Sequence, residues 1–133
     1  VGGLNLAQAD YDNDGCTDVL VMRGGWEVAQ RRSLLRNSCA GGFSDVTVDA
    51  GLSMPTSSQT SAWVDVNNDG WLDLFVGNED TRTQLFLNDG KGHFTDVAER
   101  AGVARRSFAK GVAAGDYDND GFGDLYVSNY DGP

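Results

Sequence analysis

Three short stretches concentrate the residues most able to do chemistry: DYDNDGCTD from Asp10 to Asp18, DVNNDGWLD from Asp65 to Asp73, and DYDNDGFGD from Asp116 to Asp124. Each reads D-x-[DN]-x-D-G-x-x-D, and together they hold 11 of the 20 acidic residues. Carboxylates this close repel one another, and a hard divalent cation removes the repulsion. Calcium accepts about six to eight oxygen ligands, and short Asp side chains alternating along a turn can converge on one ion. The expected ligands in the first stretch are Asp10, Asp12, Asp14 and Asp18, with the backbone carbonyl of Cys16. In the second they are Asp65, Asn67, Asp69 and Asp73 with the carbonyl of Trp71, and in the third Asp116, Asp118, Asp120 and Asp124 with the carbonyl of Phe122. Up to three Ca2+ ions are therefore expected, one per stretch.

The pattern shares its first half with an EF-hand, which needs a bidentate Glu at loop position twelve and a helix after it. Position twelve is Val21, Val76 or Val127, inside a β-like run, so these are not EF-hands. An all-oxygen donor set without histidine also argues against zinc or copper. The bland alternative is an Asx-rich hairpin turn that binds nothing, and three copies in register weigh against it. No open coordination position is evident, so the ions are expected to be structural rather than catalytic.

These loops need elements to hold them, and the chain supplies them as a repeat. The acidic starts are separated by 55 and 51 residues. RNSCAGGFSDVTVDAGL from Arg36 aligns with LNDGKGHFTDVAERAGV from Leu87 at a constant offset of 51, so the length difference falls in RGGWEVAQRRSLLRN. Within one repeat SAWVD, DLFVG, TQLFLN and HFTDVA are short, aromatic or β-branched, and bounded by Gly, Asn and Asp, which predicts four strands. NDGKGH between the last two is a hairpin signal. DVAERAGV is expected to make a single helical turn and nothing longer. A four-stranded antiparallel meander repeating at this spacing predicts an all-β fold, a β-propeller with the acidic loop between strands 1 and 2 of each blade. Repeats at about 4–52, 53–103 and a truncated 104–133 make roughly two and a half blades, ten strands in all. Such a unit cannot bury both faces alone. The chain, which opens on Val1, is expected to be a fragment of a longer propeller, with completion by partner chains as the alternative.

Composition narrows the partners. The net charge of −10 over 133 residues argues against nucleic acid, which needs clustered Lys and Arg. A hydrophobic fraction of 40% supports a core, and 18 glycines without a collagen period suit a fold of tight turns. No apolar run approaches a membrane span of ~20 residues.

Cys39 aligns with Gly90 in the turn between the third and fourth strands, and Cys16 starts a second strand. In a meander those two turns emerge at the same end of a blade, so a Cys16–Cys39 disulfide is expected, with two separate buried thiols as the alternative. Trp63 and Trp71 are expected to pack between sheets. The enlarged first-repeat loop carries Arg23, Trp26, Arg31 and Arg32, a mixture suited to a glycan or protein partner, or else a solvated loop with one packed tryptophan. His93, the lone histidine, falls in a hairpin turn. With no G-x-S-x-G, H-E-x-x-H or phosphate-binding glycine loop, enzymatic activity is not expected.

The DxDxDGxxDLxV loops resemble the FG-GAP or VCBS-type repeats of integrin-α-like propellers. LFLNDGKGHFTDVAERAGV is similar to the repeats of bacterial extracellular propellers of the cartilage-acidic-protein-like, ASPIC/UnbV-associated family. Asn67 departs from the usual Asp but still offers an oxygen, and the ASPIC/UnbV segment itself is not visible. The resemblance implies a secreted or periplasmic protein, calcium at the positions named above, and a role in binding, adhesion or extracellular assembly. Its partners would be a protein or glycan ligand, further blades or neighbouring chains. Part of a polysaccharide lyase or hydrolase, or a fibre-forming subunit, are the alternatives, because such propellers serve several functions.

Overall fold

A computed structural model describes residues 5–25 and 28–130. The described residues form ten antiparallel strands and no helix. They are β1 (Asn5–Ala9), β2 (Asp18–Met22), β3 (Ser33–Asn37), β4 (Phe43–Asp45), β5 (Ser58–Val64), β6 (Asp73–Arg82), β7 (Gln84–Asn88), β8 (Phe94–Asp96), β9 (Arg106–Gly115) and β10 (Asp124–Asn129). β1 to β4 make the first blade, a meander paired in chain order. The second blade repeats it with β5 to β8, and the third is represented by β9 and β10. β1 lies against β5 and β5 against β9, so the first strands of successive blades are neighbours, as in a segment of a propeller.

The blades are not wholly separate. The 10-residue β6 pairs with β5 and β7 over its first half, then with β9 through Glu79, Thr81 and Arg82. The second and third blades thus share one six-stranded sheet. The register shifts between Glu79 and Thr81, and Asp80 there takes φ 56°, so the strand turns away from its own blade. A bulge of this kind bends a strand and re-aims its far end.

Two apolar layers hold the blades together. Tyr11, Leu20, Met22, Leu34, Ala50 and Leu52 of the first blade meet Leu74, Val76, Phe86 and Phe94 of the second, with Trp63 against them. The Trp63 ring stacks on Tyr11 at 6.1 Å. On the other face, Phe75, Leu85, Val97 and Ala98 pack with Val112, Leu125 and Val127. β6 shows why the strand period matters: Leu74 and Val76 point to one layer and Phe75 to the other, so this strand is buried on both faces. Fully burying each such side chain contributes about 1.5–3 kcal/mol.

DVAERAGV does make a single turn, closed by Ala101 N–H on the Val97 carbonyl at 2.8 Å. Its first-blade counterpart has Ala50 N–H on Val46 at 2.8 Å. Gly51 ends that turn at φ 78°, where a Cβ would come within 2.9 Å of the Phe94 carbonyl oxygen.

Candidate metal centre

Each acidic stretch links the first and second strands of a blade: residues 10–17 (loop 1), 65–72 (loop 2) and 116–123 (loop 3), with the closing Asp opening the following strand. Their backbones match. Asn13, Asn68 and Asn119 take φ of 54°, 56° and 59°, and Gly15, Gly70 and Gly121 take 89°, 88° and 89°. Gly and Asn are the residues that enter this left-handed region most readily.

The hydrogen bonds repeat as well. Asp10 accepts the amides of Asp14 at 3.1 Å and Gly15 at 2.9 Å. Asp65 accepts those of Asp69 and Gly70 at 3.2 and 2.8 Å, and Asp116 those of Asp120 and Gly121 at 3.1 and 2.9 Å. Asp14, Asp69 and Asp120 each accept the amide two residues on, from Cys16, Trp71 and Phe122 at 2.9, 2.9 and 2.8 Å. The closing aspartates tie the loop down: Asp18 accepts Tyr11 N–H at 3.2 Å, Asp73 accepts Val66 N–H at 3.0 Å, and Asp124 accepts Tyr117 N–H at 3.0 Å. The second oxygens of Asp18 and Asp73 accept the amides of Asn37 and Asn88 at 2.8 and 2.9 Å, locking each loop to the third strand.

The carboxylates converge. Ligand oxygens of Asp10, Asp12 and Asp18 lie within 4.8 Å of one another, and so do those of Asp116, Asp118 and Asp124. In loop 2, Asn67 takes the place of Asp12, with its Nδ2 on Asp69 at 3.0 Å. Asp18 and Asp73 are buried, which raises their pKa; the backbone amides that they accept pull the other way. Burial, with the charges of Asp12 and Asp18, pushes the Tyr11 hydroxyl up to about 12.

The surroundings of the loops differ. Cys16 and Cys39 form a disulfide with Cα atoms 5.6 Å apart. At the aligned positions of the second blade, Trp71 lies across Gly90, where a Cβ would fall 2.6 Å from the ring. Trp71 therefore seals the end of its own blade rather than packing between sheets, because Gly90 leaves a flat seat for it. Arg36 stands over loop 1, its Nε 2.6 Å from Asp12 Oδ2.

Sequence reasoning missed three sets of residues. Asn13 donates to the Gly70 carbonyl at 3.1 Å and Asn68 to the Gly121 carbonyl at 2.8 Å, so each loop is pinned to the next. Asn37 and Asn88 hold the strand ends, the latter also reaching the Tyr11 carbonyl at 2.9 Å. Their recurrence at fixed repeat positions was the available signal. Arg36 had no such signal, since its counterpart is Leu87.

The enlarged loop only partly faces solvent. Arg31 is exposed and pairs with Asp45 at 2.9 Å, and Arg23 reaches Ser33 Oγ at 2.6 Å. Arg32, expected on the surface, is instead fully buried. It lies just before β3 and reaches between the blades, donating to Thr56 Oγ1 at 2.7 Å and Gln84 Oε1 at 2.6 Å, with its guanidinium 5.3 Å from the Phe86 ring. Burial lowers its pKa to about 10. Trp26 lies outside the described residues. His93 sits exposed in the β7–β8 turn.

Against known families, the model of the FG-GAP-like repeat matches residues 10–76 and 65–127. The chain belongs to the FG-GAP-like repeat family. The match opens at Asp10 and Asp65, so each hit begins on an acidic loop. This FG-GAP-like chain is 34% identical over 90 residues to cartilage acidic protein 1 of Mus musculus and, over the same length, to that of Homo sapiens. The protein of that name in Xenopus tropicalis is 34% identical over 92 residues. These alignments cover 67–68% of this chain but only 14% of each relative. No helix among the described residues is long and apolar enough to cross a membrane.

Proposed function

We propose that the chain is part of a secreted propeller module whose blades are held in shape by calcium and whose role is binding, in adhesion or extracellular assembly. The observation that carries the calcium reading is the convergence of Asp10, Asp12 and Asp18 within 4.8 Å, repeated by Asp116, Asp118 and Asp124. Asp12 Oδ1 is buried with no hydrogen-bond partner, as an oxygen reserved for a cation would be. The donors are all oxygen, which suits calcium above softer metals. A bound ion would supply charge neutralisation, and the loops themselves would supply rigidity at one end of each blade. The disulfide and the relatives' similarity support an extracellular setting. A protein or glycan ligand would meet the opposite end, where the β2–β3 and β6–β7 connections emerge. No nucleic-acid partner and no catalytic step are proposed.

Thermal unfolding in calcium and in chelator tests this directly. Each occupied site adds about 2.7 kcal/mol at a hundredfold excess over its dissociation constant, so the midpoint should rise clearly in calcium. Identical midpoints in both would sink the calcium reading.

Assembly through open blade faces is a second reading with its own observation. Tyr117 and Tyr126 are 82% and 75% exposed, while the residues aligned with them in the first blade, Tyr11 and Leu20, are buried against the second. The face of the third blade is thus shaped for a following blade, in a longer chain or a neighbouring one. Sedimentation of this chain as a monomer at high concentration, with and without calcium, would remove assembly through that face.

A further inference from the structure

Loops 1 and 2 share one backbone conformation and one hydrogen-bond pattern, yet their charge surroundings differ. Arg36 at the end of β3 places Nε 2.6 Å from Asp12 Oδ2 and Nη2 3.5 Å from Asp14 Oδ2. The Cys16–Cys39 bond closes the same side of loop 1, with Cys39 Sγ 3.7 Å from Asp14 Oδ1. Loop 2 has Leu87 where Arg36 stands and Trp71 over Gly90 where the disulfide stands. Among the described residues, no ion pair involves a carboxylate of loop 2.

We infer that Arg36 is a built-in counter-cation that weakens calcium binding at loop 1 and keeps loop 1 ordered when calcium is scarce. This rests on the calcium reading of the loops. A guanidinium is always charged in proteins and meets carboxylates in a fixed geometry. An ion entering loop 1 must share Asp12 and Asp14 with it, and calcium affinity follows the charge of the ligand set. Asp12 Oδ1 is left without a partner, so the effect is weakening rather than exclusion. The consequence is a graded module. The first blade, stapled and internally neutralised, stays formed at low calcium, and the ion orders the second blade against it.

The amides of Gly15, Gly70 and Gly121 each donate to the first Asp of their own loop, at 2.9, 2.8 and 2.9 Å. They give one NMR reporter per site in a calcium titration of this chain. The Gly15 midpoint should fall about tenfold in free calcium on Arg36→Leu, while those of Gly70 and Gly121 stay in place. Arg36→Lys should leave the Gly15 midpoint close to that of the parent chain. In chelator, the Asp14, Gly15 and Cys16 amides should exchange faster in Arg36→Leu than in the parent chain. A Gly15 midpoint unmoved by Arg36→Leu would overturn the inference and leave the calcium reading standing. Three glycines that all ignore calcium would overturn both.

Discussion

In the first blade, Cys16 and Cys39 join loop 1 to the β3–β4 turn by a covalent bond. In the second, the aligned pair Trp71 and Gly90 meet at the same junction by a ring laid over a glycine. The backbone hardly registers the exchange: Cys39 takes φ 59° and Gly90 φ 71°. The junction is therefore a property of the repeat, and the chemistry that seals it is interchangeable. What differs is which side chain is free to vary. A disulfide fixes both partners, whereas a ring on a glycine demands only that nothing project from the turn.

The comparison breaks most visibly at the covalent end. Replacing both cysteines by serine removes a bridge spanning 23 residues, which should cost about 3 kcal/mol if constraint of the unfolded chain dominates. Residue 39 would also keep its left-handed backbone without the bond that holds it there, adding to the loss. Urea denaturation of the double variant checks this, and hydrogen exchange should locate the loosening in loop 1 rather than loop 2. A loss below about 1 kcal/mol would show that the Asp18–Asn37 contact and Arg36 close the junction without help.

Much of this architecture could be read before any coordinates. The short apolar run in DLFVG and the turn at NDGKGH correspond to β6 and the β7–β8 hairpin, and aligning Cys39 with Gly90 anticipated the bond. The acidic positions fell together because D-x-[DN]-N-D-G encodes its own turn through local hydrogen bonds and two left-handed residues. Non-local choices were not legible. Arg32 looks like a surface cation in a polar loop, and only the packing of two blades reveals Gln84, Thr56 and Phe86 as its partners. The union of β6 with β9 depends on the bulge at Asp80, where nothing in NEDTR announces a strand leaving its blade. Arg36 reaches the loop from the far end of another strand, a pairing that neither periodicity nor repeat alignment encodes.

Gly90→Ala probes the second blade with a somewhat smaller effect. The new Cβ would stand 2.6 Å from the Trp71 ring, at a residue with φ 71°. The backbone alone should cost about 1–2 kcal/mol, and displacing the half-buried ring should bring the total to about 2–3 kcal/mol. The same substitution in a Trp71→Ala background should cost only the backbone part. A double-mutant cycle with no coupling would mean that ring and glycine do not form a seal, and the likeness to the disulfide would fail.

The smallest effect tests what the two blades share. Asn13 and Asn68 each combine a left-handed backbone with a side-chain amide that spans to the following loop. Asn68→Gly keeps the backbone and deletes the bond to the Gly121 carbonyl, so it isolates the pin; about 1 kcal/mol is expected from an exposed hydrogen bond of this kind. Asn13→Gly should cost less than Asn68→Gly, because loop 1 is also secured by the disulfide and Arg36, and loosening one tie there leaves two. Equal losses at both positions would mean that the loops are held chiefly by one another, from blade to blade, and that the covalent seal of the first blade is a local addition to loops already pinned by asparagines.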